Sequence, residues 1–120
     1  MTPPEPSGRR PKAAAPFVIA HRGSSGRAPE NTLEAFDRAV REDGAEGLEL
    51  DLHRSRDDHV VVLHDRTVDR TSDGHGRAAA FTLTELQALD AGHHFRDERG
   101  EFSFRGRGVR IPTLEEVLDR

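Results

Sequence analysis

The chain has 120 residues and a formal charge of −4, with charged residues and AVILMFWYC residues each at 33%, the size of one domain and not two. With no cysteine, a disulfide scaffold, a thiol nucleophile and Cys-ligated zinc are all excluded, and the negative charge argues against general nucleic-acid binding. No stretch approaches the roughly 18 apolar residues that a membrane-spanning helix requires.

Residues 1–15 hold four of the seven prolines and no large apolar side chain besides Met1, so they read as a disordered tail, with residues 16–120 as the domain. No apolar stretch of the secretory kind is present there, which points to a cytoplasmic protein. Phe17-Val18-Ile19-Ala20 is a short continuous apolar run ended by His21-Arg22-Gly23, the pattern of a strand buried on both faces. Asn31 is placed as an N-cap with Glu34 three residues on. Leu33, Phe36, Ala39 and Val40 follow at helical spacing, and Gly44 closes the helix. Gly47 to Leu52 alternates strictly as a second strand, so residues 17–52 predict a strand–helix–strand unit with a parallel pair.

Val60 to Leu63 is a further extended run after Asp57-Asp58, suited to a hairpin with the strand before it. Residues 65–80 read as loop. Thr82 with Glu85 and Thr113 with Glu116 are capping boxes that open two short helices, the second begun by Leu114, Val117 and Leu118. A strand–helix–strand start followed by a helix that the chain leaves without a C-cap reads as the opening of a larger α/β fold. A closed (β/α)₈ barrel takes about 200–250 residues.

Three groups of polar residues fall at predicted strand ends. Glu49 and Asp51 lie two apart on a strand and point to one face, with Leu48, Leu50 and Leu52 on the other. Two adjacent carboxylates repel unless a cation lies between them, and oxygen ligands suit Mg²⁺ or Ca²⁺. A polar outer face of an edge strand is the plainer reading, and His53 shares that face. His21 and Arg22 follow the first strand directly. There His21 could act as acid or base and Arg22 could bind a phosphate or carboxylate, or both could be ordinary surface groups. His64-Asp65 follows the Val60–Leu63 run, offering a second acid/base histidine. His59, His75, His93 and His94 read as solvated loop residues, and Glu30 and Asn31 as structural ones near the same rim.

The strings HRGSSGRAPENTLEAF, GLELDLHRSRDDHVVVLHD, RTSDGHG and IPTLEEVL, in this order from Phe17 to Arg120, resemble the glycerophosphodiester phosphodiesterase family. The resemblance implies the N-terminal portion of a (β/α)₈ barrel, cut before closure, with a small insertion after the second strand. It implies metal-dependent hydrolysis of glycerophosphodiesters to sn-glycerol 3-phosphate and an alcohol. In this reading His21 and His64 match the acid/base pair, Arg22 the phosphate-contacting arginine, and Glu49 and Asp51 two metal ligands. The third carboxylate ligand is expected beyond Arg120, so activity and stable folding of the 120 residues alone are expected to be weak. The implied partner is a small glycerophosphodiester and the implied cofactor a divalent ion, Mg²⁺ or Ca²⁺. Two alternatives stay open: a related phospholipase D-like enzyme acting on sphingomyelin-like or lysophospholipid substrates, and a phosphate-ester-binding fragment without turnover.

Overall fold

The computed structural model describes residues 19–119. The proposed tail and the first two residues of the opening apolar run, Phe17 and Val18, lie outside the described residues. Within them the chain forms β1 (Ile19–His21), α1 (Leu33–Arg41), β2 (Gly47–Glu49), β3 (Leu52–Arg54), β4 (Val60–Val62), α2 (Leu83–Gln87) and α3 (Leu114–Leu118).

The strand–helix–strand unit forms as its pattern predicts. β1 and β2 pair in parallel, with Ile19 opposite Gly47 and His21 opposite Glu49. α1 crosses between them and buries Ala35, Phe36 and Ala39, its apolar positions at helical spacing. Its N-cap is Thr32, one residue later than the sequence suggested. The Thr32 Oγ1 accepts from the Ala35 N–H at 3.2 Å and donates to the Pro29 carbonyl at 2.6 Å. Asn31 instead adopts a left-handed backbone conformation (φ 57°), which turns its side chain toward the strand ends.

Two burial expectations are corrected. β1 is not covered on both faces: among the described residues it pairs with β2 alone, and Ile19 is 58% exposed. The second predicted strand is broken at Leu50 and Asp51. Leu48 and Leu50 pack against Phe36, Val62 and Val117, whereas Leu52, beyond the break, is 45% exposed. From the break onward the chain pairs elsewhere: β3 runs antiparallel to β4, with Leu52 opposite Val62 and Arg54 opposite Val60, the expected hairpin. Asp58 closes that turn at φ 69° and accepts from Arg54 at 2.6 Å.

β4 divides the core by strand alternation. Val62 joins Phe36 and Val117 in a small cluster under α1 and α3. Val61 joins a larger one with Leu63, Val68, Ala78, Leu86, Val109 and Ile111, built mostly from the irregular stretch that follows. Both capping boxes form as read. Thr82 and Glu85 open α2, which buries Leu86, and Thr113 and Glu116 open α3, which buries Val117. The approach to α3 is tied to β4 by the Val62 N–H on the Pro112 carbonyl at 2.9 Å. No described helix is long and apolar enough to cross a membrane.

Candidate functional site at the strand ends

The polar residues singled out in the sequence converge on one rim, at the C-terminal ends of β1, β2 and β4. His21 is the last residue of β1, and its Nε2 lies 3.3 Å from Oε1 of Glu49, the last residue of β2. The parallel register makes this contact, because it sets the two residues opposite each other. Arg22 leaves the strand at φ 58° and its N–H donates to the Glu49 carbonyl at 2.7 Å, so the backbone turns sharply just where its side chain enters the site. The turn also needs Gly23. At φ 80° it packs so closely on α1 that a Cβ there would sit 2.8 Å from the Ala35 carbonyl carbon.

The Arg22 guanidinium lies between two carboxylates, with Nε 3.6 Å from Asp51 Oδ2 and Nη1 3.4 Å from Glu30 Oε2. Its Nε–H is buried and has no hydrogen-bond acceptor. A buried guanidinium donor without an acceptor is costly unless an anion receives it. Asp51 also accepts from Asn31 Nδ2 at 3.2 Å. That contact fixes the orientation of the amide, since a carboxylate can only accept, and it leaves the buried Asn31 Oδ1 without a donor.

His64 follows β4 and directs Nδ1 to Asp65 Oδ1 at 2.8 Å. The Arg70 guanidinium first, and the His64 ring second, hold the Asp65 carboxyl well below the usual carboxylate range. An ionised Asp65 has no proton to give, so His64 Nδ1 is the donor and the neutral ring presents a bare Nε2. Arg70 reaches across to Glu30 through two parallel bonds, Nη1 to Oε1 and Nη2 to Oε2, each 2.9 Å. The rim is thereby linked from His64 through Asp65, Arg70, Glu30 and Arg22 to Asp51. A cleft of about 290 Å³ opens beside Glu30 and Arg70, walled by Pro29, His94 and Phe95.

All five sequence-predicted residues therefore reach the rim, but in two groups. His21 meets Glu49 and Arg22 meets Asp51, the two pairs joined by the Arg22 N–H on the Glu49 carbonyl, while His64 is linked to Arg22 and Asp51 through intermediaries. His53, which the sequence left undecided, meets the His64 carbonyl with its Nε2 at 2.9 Å and supports the backbone there. Glu30 and Asn31, read as structural residues near the rim, contact Arg22 and Asp51 respectively. Arg70 was missed, because an arginine in a loop paired with an acid 40 residues away has no periodic signature.

Among the described residues, no three His, Cys, Asp or Glu side chains gather closely enough to hold an ion by themselves. The donors at the β2 end are nonetheless of the type a hard divalent cation takes: the carboxylates of Glu49 and Asp51 and the buried, unpartnered Oδ1 of Asn31, whose Nδ2 donates to Asp51, with no sulfur.

Comparison with known proteins bears on this rim. The sequence model of the glycerophosphoryl diester phosphodiesterase family matches residues 21–120. A glycerophosphodiester phosphodiesterase of Caldanaerobacter subterraneus is 51% identical over 103 residues, which cover 86% of this chain and 39% of that protein. A glycerophosphoryl diester phosphodiesterase domain from Mycobacterium tuberculosis superposes with a TM-score of 0.83 at 33% identity, covering 88% of this chain and 40% of the other. An Oleispira antarctica phosphodiesterase, solved with the product sn-glycerol-3-phosphate, superposes with a TM-score of 0.72 at 39% identity, covering 87% and 39%. The chain thus spans about two-fifths of the length of the curated relatives it matches. Its α/β architecture with open sheets is part of a (β/α)₈ barrel.

Proposed function

The chain belongs to the glycerophosphoryl diester phosphodiesterase family, and from that premise we propose that its rim binds and cleaves a glycerophosphodiester, releasing sn-glycerol 3-phosphate and an alcohol. The observation that carries this reading is Arg22, whose guanidinium lies between Asp51 and Glu30 at the strand ends and whose Nε–H makes no hydrogen bond. The Arg22 side chain keeps 21% of its surface exposed, and its planar guanidinium matches the geometry of a phosphodiester's oxygens.

The two histidines divide the proton transfers. His64, with Nδ1–H engaged by an ionised Asp65, takes on Nε2 the proton of the attacking oxygen, either a water that gives both products in one step or the 2-hydroxyl of the substrate's glycerol, whose cyclic phosphodiester a water then opens to sn-glycerol 3-phosphate. His21, whose Nε2 lies 3.3 Å from the Glu49 carboxylate, returns a proton to the departing alkoxide. Glu49 and Asp51, with Asn31 Oδ1, would hold Mg²⁺ or Ca²⁺. The bound ion would neutralise phosphate charge and polarise the phosphorus centre. The cleft beside Glu30 and Arg70 is large enough for a small leaving alcohol. The names of the relatives favour this substrate over the phospholipase D-like alternative.

The test is release of sn-glycerol 3-phosphate from glycerophosphocholine with Mg²⁺, with Ca²⁺ and with a chelator, beside the variant His21→Ala. Release that needs the metal and disappears in the variant supports the reading. Release that persists in the variant, or that ignores the chelator, contradicts the assigned roles. Absence of both release and product binding contradicts the reading of the rim, whereas binding without release matches the weak activity expected of these residues alone.

A further inference from the structure

We propose that Arg70 is a positioning residue for this chemistry, fixing the tautomer of His64 through Asp65 while its other edge holds Glu30 against Arg22. The inference rests on the proposed role of His64.

The geometry is specific. Arg70 Nε donates to Asp65 Oδ2 at 2.9 Å and Nη2 to Asp65 Oδ1 at 3.1 Å, while Nη1 and Nη2 hold the two oxygens of Glu30. One planar group therefore grips two carboxylates at once, by two different edges. Asp65 Oδ1 is the same atom that receives the His64 Nδ1–H, so the angle at which Arg70 fixes the carboxylate sets the direction of the histidine ring. On its other side, Glu30 Oε2 is shared between Arg70 and Arg22, so one residue steadies both the acid/base histidine and the phosphate-binding arginine.

A purely stabilising role fits less well. Half of the Arg70 side chain is exposed, and exposed ion pairs contribute little to folding. Its value lies in direction. A lysine could supply the charge from a single point but not the two-edged fork.

The experiment reads the ring nitrogens of His64 by ¹⁵N NMR near neutral pH, without metal or substrate, in the parent chain and in Arg70→Met and Arg70→Lys. His75, whose Nδ1 meets Asp69 at 3.1 Å on the same loop, serves as the internal control for local folding. In the parent, His64 is expected as the Nδ1–H form. In Arg70→Met that form gives way to a mixture of tautomers while the His75 signals stay unchanged, and Arg70→Lys restores it only in part. An unchanged His64 tautomer in Arg70→Met overturns the proposal, as does full restoration by lysine. A simultaneous collapse of the His64 and His75 signals would make Arg70 a residue of folding, and overturns it too. Because no turnover is measured, a failed hydrolysis assay and a failed tautomer assay are separate results.

Discussion

Between Ile19 and Asp51 the chain puts its charged residues at strand ends, over a thin core of Phe36, Val62 and Val117, and leaves Ile19 and Val40 exposed. Between Val61 and Ile111 it does the reverse, building the larger apolar cluster around Val68 and Leu86 from a stretch with little regular structure. The first region is regular and chemically dense but thinly packed. The second is irregular and well packed. Regular elements position a site, and buried apolar area holds it in place. In this chain those two tasks fall largely to different segments, joined at β4, whose Val61 and Val62 face opposite clusters.

The sharpest way to separate the two regions is to damage each and ask what is lost. His64→Ala should lower turnover by about 10²–10⁴-fold, the usual weight of a general acid or base, with little change in the thermal transition. Leu86→Ala should do the opposite. Leu86 is fully buried in the larger cluster, so its truncation is expected to cost about 2–5 kcal/mol in denaturant unfolding. The folded fraction should keep its affinity for product. Val117→Ala in the thin core should cost only about 1–2 kcal/mol, the transfer energy of the lost methyl groups. A larger cost for Val117 than for Leu86 would erase the contrast.

Gly23→Ala tests the boundary between rim and packing. The positive φ and the 2.8 Å approach to the Ala35 backbone predict a loss of about 1–3 kcal/mol, with weaker product binding because the turn carries Arg22. Calorimetry on the same variant reads both.

The smallest expected effect is electrostatic. Arg70 and then His64 hold the Asp65 carboxyl well below the usual range. Its contribution to stability is therefore complete above the ordinary aspartate value of about 3.9 and is lost as the pH falls below that toward the folded value. Asp65→Asn should lose less stability than the parent between about pH 4 and pH 2. Identical acid profiles would show that the rim network adds nothing to the fold.

Much of this was legible in the residues, and the misses have physical causes. The apolar runs and capping boxes located β1, α1, β2, α2 and α3, because burial and helix caps leave local signals. The N-cap shifted from Asn31 to Thr32 because Asn31 tolerates a left-handed backbone and has Asp51 to bind, a partner 20 residues away. Strict alternation through Leu52 suggested one strand, but alternation is blind to a change of pairing partner, and the chain passes from β1 to β4 at Leu50-Asp51. His21, Arg22, Glu49, Asp51 and His64 stood out because each falls at or near a strand end. Glu30 and Arg70 did not, since a bond across 40 residues is visible only once the chain is folded.

The most direct test of the division is to titrate the chain with sn-glycerol 3-phosphate in the presence of Mg²⁺ and map the backbone amide shifts. The account predicts changes centred on Arg22, Gly23, Asn31, Glu49 and His64, with α2 and the Leu86 cluster silent. Shifts centred instead on the loop from His93 to Arg107, with the strand ends undisturbed, would contradict it.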